Sequence, residues 1–226
     1  MSRTSLVRAV ALAAGLGLLG AASAVPASAQ ITFTPFVGSF YGLAKYFDDD
    51  IDLSVFGGSG TARFTSEQTN TAMFGARVSV PIGATLSVEG EFGYSSSDVR
   101  LTGEDAAGQG LDLSTNLKGN VIVGSLRGLI RPRRSNLHLI VGAAVVNHGG
   151  DAWDFSTNEK LTNVGGVLGF GLRAAVTPRF AINITAESYI YSFNPDTSDD
   201  TSLGFYKKTT QADVIVSIGV PLSLSK

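Results

Sequence analysis

Gln211-Ala-Asp-Val-Ile-Val-Ser-Ile-Gly-Val-Pro-Leu-Ser-Leu224 decides the reading of the fold. One alternate set is Ala212, Val214, Val216, Ile218, Val220, Leu222 and Leu224. The other is Gln211, Asp213, Ile215, Ser217, Gly219, Pro221 and Ser223. Successive side chains point to opposite faces of a strand. Alternation sustained over this length therefore predicts a strand between two unlike environments.

The same pattern recurs upstream. Strands are expected near 31–43, 69–81, 85–96, 114–131, 136–147, 162–177, 180–193 and 208–224. Short connections (Pro81 to Ala84, Arg131 to Ser135, Thr177 to Arg179) alternate with long polar ones (44–68, 97–113, 148–161, 194–207). Tight turns at one end and long loops at the other are the pattern of bacterial membrane barrels, whose tight turns face the periplasm. The expected fold is all-β: an eight-stranded antiparallel up-and-down transmembrane β-barrel over 30–226. A weak hairpin repeat agrees with this. Gly75-x-Arg77 runs to Pro81, Arg127 to Pro132, and Gly171-x-Arg173 to Pro178. Each proline falls where a strand must stop for want of an N–H.

Charge separates the two faces. Of the 19 acidic residues, all but Glu89, Glu91, Glu187 and Asp213 fall in the long connections. Parity puts those four on the face shared by Arg77, Arg127 and Arg173. The opposite face carries Phe74, Val78, Leu86, Phe92, Leu168, Phe170 and Ile184. An Arg or Lys facing lipid at mid-membrane costs about 2–4 kcal/mol, so this segregation fits hydrocarbon outside and charge within. Charges confined to a narrow lumen must pair. The three arginines and four carboxylates are expected to form one interior ion network, with inward glycines such as Gly93, Gly169 and Gly171 making room. Lys118 breaks the parity, near a loop end where its ammonium can reach the interface. A soluble calyx would need the reverse arrangement, with a heavily charged exterior.

Composition agrees. The chain is 44% hydrophobic and 16% charged, with 27 glycines and a net charge of −2. Soluble domains carry about 25% charged residues, and nucleic-acid binding asks for a basic excess. With no cysteine, disulfide frameworks and thiolate chemistry are excluded. The first 29 residues read as a cleavable secretory signal. Arg3 and Arg8 precede the apolar run Ala9 to Ala22, and Ala27-Ser28-Ala29 provides an A-x-A site before Gln30.

Several stretches carry a family resemblance. Thr34-Pro-Phe-Val-Gly38 resembles the first strand of the bacterial outer-membrane β-barrel domain family, typified by the small OmpA and OmpX barrels. Val88-Glu-Gly-Glu-Phe-Gly-Tyr94 resembles its third strand. Ser217, Gly219, Leu222 and Leu224 are similar to its assembly signal, although members often end in Phe or Trp where this chain ends Leu224-Ser225-Lys226. The resemblance implies insertion into outer-membrane lipid by the outer-membrane assembly machinery after export through the inner membrane. A monomer is expected, with no cofactor and no nucleic-acid partner.

Sites for chemistry are sparse. His148, Asp151 and Ser156 could serve a lipid-modifying enzyme at the outer rim, but their spacing matches no motif. Asp48, Asp49, Asp50 and Asp52 offer carboxylates to a hard cation, yet lack the spacing and glycine of a calcium loop. They read first as a solvated loop. Tyr41, Tyr46, Tyr94, Tyr191, Phe193 and Phe205 lie at strand ends, where an interfacial girdle belongs, with Trp153 in a loop. The expected function is structural and non-catalytic, contributing envelope integrity or surface adhesion. The alternatives are a small porin-like or apolar-solute transport barrel and, last, the lipid-modifying enzyme.

Overall fold

A computed structural model describes residues 30–56, 60–105, 112–133, 135–153, 161–177, 180–193 and 209–224. Residues 1–29, with Ala27 and Ala29 of the expected cleavage site, lie outside these; Gln30 is the first described residue and is exposed.

Eight strands form the barrel: β1 (Thr32–Gly42), β4 (Thr71–Pro81), β5 (Leu86–Ser95), β8 (Asn120–Ile130), β9 (Leu137–Gly149), β10 (Leu161–Thr177), β11 (Phe180–Phe193) and β12 (Thr209–Gly219). Each pairs antiparallel with its neighbours in chain order, and β12 pairs back onto β1, from Phe36↔Gly219 to Gly42↔Asp213. Closure removes the free edges an open sheet would expose in lipid. The last strand is shorter than its alternation implies. It stops at Gly219 and resumes as β13 (Leu222–Ser223), paired with Thr32 and Phe33. Pro35 and Pro221 face this gap and neither has an N–H for the ladder.

Two expected loops are not loops. β2 (Lys45–Asp52), β3 (Thr61–Gln68), β6 (Val99–Asp105) and β7 (Asp112–Leu117) make a second antiparallel sheet in the order β2-β3-β6-β7. It continues the β1–β4 and β5–β8 hairpins beyond the barrel. The expected strand 114–131 is correspondingly two, split at Lys118–Gly119. That break, rather than interfacial snorkelling, explains why Lys118 defies barrel parity. Its carbonyl accepts the Ala152 N–H at 2.9 Å.

The second sheet has unlike faces. One carries charge and hydroxyls: Arg63 pairs with Asp48 at 2.8 Å, Lys45 with Asp48 at 3.0 Å, and the Thr65 and Thr102 hydroxyls bond. Ala62 and Val99, on the other face, are buried. The four aspartates at 48–52 are therefore strand residues. Alternation turns Asp49 away from Asp48, Asp50 and Asp52. Among the described residues no group of three or more His, Cys, Asp or Glu is arranged to hold a metal. Asp196, Asp199 and Asp200, whose carboxylates the sequence also offers to join the 48–52 cluster across the barrel mouth, lie outside the described residues.

Candidate functional site

The barrel is built inside out relative to a soluble protein. On its strands every Asp, Glu, Arg and His lies on the inward parity. Arg77, Arg127, Glu89, Glu91, Glu187, Asp213, His138 and His148 are all buried, and Arg173 is half-buried. Outside stand Phe74, Phe92, Leu139, Val164, Leu168 and Phe170, each more than half exposed. So much exposed apolar surface on a soluble monomer would drive association; in hydrocarbon it is at home. The chain is a transmembrane-type β-barrel.

The lumen is filled in layers. In the first, Arg77 and Arg127 reach across it. The Arg77 Nε donates to Glu91 Oε2 at 2.5 Å, and its Nη2 donates to Ser217 Oγ at 2.8 Å and to Thr185 Oγ1 and Glu187 Oε1, both at 3.1 Å. Arg127 donates from Nη2 to Glu89 Oε1 at 2.7 Å and from Nη1 to Glu187 Oε2 at 2.6 Å, and its Nη2 lies 2.7 Å from Glu91 Oε2. The Tyr189 hydroxyl donates to Glu91 Oε1 at 2.5 Å, and the Ser79 hydroxyl donates to Glu89. The Phe36 ring lies 4.2 Å from the Arg77 guanidinium carbon, a cation–π contact. β1, β4, β5, β8, β11 and β12 all contribute.

Two expected members stand outside this layer. Asp213 accepts from the Tyr191 hydroxyl at 2.8 Å and meets neither arginine. Arg173 lies further toward the short turns and makes no ion pair among the described residues. Strand tilt in a closed barrel staggers neighbouring rungs, so a shared inward parity does not ensure a shared level. Sequence reasoning did not single out Thr185 and Tyr189 as partners, although both sit on the inward parity of β11. Ser217, read for assembly, also serves here as an acceptor.

The second layer closes the lumen near the long connections. Tyr46, His148, Trp153, Tyr191 and Phe193 pack ring against ring, with Tyr46 4.9 Å from both Trp153 and Phe193 and His148 5.2 Å from Trp153. Tyr46 bonds Gln68, and the Tyr191 hydroxyl lies 3.1 Å from His148 Nε2. The girdle expectation fails for Tyr46, Tyr191 and Phe193, all buried, and the loop expectation fails for Trp153, held on a short 3₁₀ turn, Asp151–Trp153. The inward parity of Tyr189 extends along β11 to Tyr191 and Phe193. Tyr41, at 36% exposure, stays outside. Phe205 lies outside the described residues.

His148 is fully buried under these rings, whereas a catalytic base at the rim would need to reach lipid. Ser156 lies outside the described residues. Of the assembly-signal positions, Ser217 is buried while Leu222 and Leu224 are exposed at the apolar surface.

No protein-family model matches the chain, and no curated protein matches it. Among solved structures, the outer membrane protein OprG from Pseudomonas aeruginosa is 11% identical, with a TM-score of 0.46 over 86% of this chain and 96% of its own. The outer membrane protein AlkL, solved in lipid bilayers, is 13% identical, with a TM-score of 0.46 over 87% of this chain and 92% of its own. Ail, the attachment invasion locus protein of Yersinia pestis, solved with the heparin analogue sucrose octasulfate, is 13% identical, with a TM-score of 0.41 over 85% of this chain and 99% of its own.

Proposed function

We propose that this chain is a structural, non-catalytic outer-membrane barrel. Its plugged lumen braces the wall, and its outer sheet is displayed for surface adhesion. One observation carries the reading. Arg77 and Arg127, at most 2% exposed, tie the β4 and β8 walls to Glu187 on β11 across the lumen. A transport path would have to break these charge-assisted bonds, which are about twice as strong as neutral ones. The aromatic layer above would have to part as well. The adhesive role is supported by the charged, hydroxyl-rich face of the β2-β3-β6-β7 sheet.

Planar-bilayer conductance tests this. The mature barrel is expected to insert without discrete openings, while Arg127→Ala together with Tyr46→Ala should create them. Steady openings in the unaltered protein would replace the structural reading with transport.

A further inference from the structure

Three consecutive strands bring basic groups to two neighbouring inward levels at the short-turn mouth, below the ion layer: Arg131 with His138, and Arg173 one inward step beyond. The β8–β9 register, carried one step past Ile130↔Leu139, sets Arg131 opposite His138. The β9–β10 register sets His138 opposite Gly171, and the Arg173 N–H donates to the Asn136 carbonyl at 2.9 Å. Arg131, His138 and Arg173 share the inward parity of Leu129, Ile140 and Gly171. Gly171 is glycine for a steric reason: a Cβ there would stand 2.3 Å from His138 Nε2, so the imidazole lies over the bare backbone.

Among the described residues these groups have no counter-charge of their own. Among the described residues neither arginine makes an ion pair. Glu89, on the adjacent strand, is held by Arg127 and Ser79. His138 is 4% exposed and its Nδ1 has no hydrogen-bond partner; Arg131 Nε is likewise buried without one. Burial and the nearby Arg173 cation both push the Arg131 guanidinium below its ordinary value. Two unpaired cations close enough to repel, with buried nitrogens that lack partners, are unfavourable until an anion joins them. Arg131 and Arg173 stay half-exposed, so the cluster is open at the mouth.

We infer that this mouth is an oxyanion site for a phosphate group, held between the Arg131 and Arg173 guanidiniums with the His138 ring N–H at its inner end. The planar forks of arginine match tetrahedral oxyanions bidentately, and a buried imidazole adds a directed donor. The phosphate could come from a free anion or a phospholipid headgroup. The inference does not depend on whether the lumen conducts.

The test uses the mature barrel in a phosphate-free maltoside micelle, reading the arginine Nε–Hε NMR signals. Inorganic phosphate and, separately, short-chain phosphatidylglycerol are added at ionic strength held constant with chloride. Saturable shifts of Arg131 and Arg173 with either probe, and none with chloride, support the site. A response to phosphate assigns the free anion, and a response to the lipid alone assigns the headgroup. Arg173→Gln should weaken binding about tenfold, the worth of one charge-assisted hydrogen bond, whereas Arg133→Gln, exposed on the same turn, should not. No saturable shift with either probe, an equal response to chloride, or an equal loss in Arg133→Gln overturns the inference. The titration of the unaltered barrel stands even if a variant fails to fold.

Discussion

Arg127 bonds carboxylates on two other strands with no exposure of its own, so removing it strands charge in a closed space. Glu89, Glu91 and Glu187 would then face Arg77 alone. Arg127→Leu is expected to cost about 3–5 kcal/mol, as for breaking a buried ion pair, read as the urea midpoint of unfolding from micelles. Glu89→Gln should cost less, because it keeps an acceptor and lowers the carboxylate excess. Glycines offer a second contrast. Gly171→Ala drives a methyl into His138 and should destabilise by about 1–3 kcal/mol, while Gly90→Ala, with nothing within 4 Å, should be nearly silent by the same measurement. Alternation made the inward face of Arg77, Arg127 and the three glutamates legible. Their partners were not legible, because Arg77 and Glu187 are 110 residues apart and meet only once tilt and stagger are set.

Among the elements, the outer sheet was the least legible. β2 reads Lys45-Tyr-Phe-Asp-Asp-Asp-Ile-Asp52, and aspartate is poor in strands. Pairing overrides the propensity, since Asp50 lies opposite Arg63, whose side chain reaches Asp48. Hydrogen bonds from Arg63 and Lys45 lower the Asp48 carboxyl from 3.8 to about 2. A depressed folded value stabilises above the unfolded one and is lost as acid overtakes it. The Asp48 pairing should therefore hold at pH 4 and dissolve toward pH 2, and Arg63→Gln should return the carboxyl toward 3.8. A carboxyl NMR titration checks both. Six of the eight barrel strands were legible to within two residues at either end, because lipid on one side and a packed lumen on the other enforce a period of two. β8 and β12 are shorter than expected, cut by the break at Lys118–Gly119 and by the gap at Pro221. The outer sheet meets water on its charged face and lacks that contrast.

At the scale of the molecule, the two sheets share four chain segments, yet among the described residues no ladder pair joins one sheet to the other. The ladder breaks near 43–44, 69–70, 96–98 and 118–119, between each barrel strand and its continuation. A variant with tight turns in place of 45–68 and 99–117 is expected to retain a closed barrel, seen as heat-modifiable gel migration. Loss of that migration would make the outer sheet part of the closure.

Those four aligned interruptions also separate two mechanical fates. A nick at the tip of β2–β3 severs no rung of the hoop beneath it, so the exposed portion can be trimmed, or bear a pulling load until it frays, while the ring in the membrane remains shut.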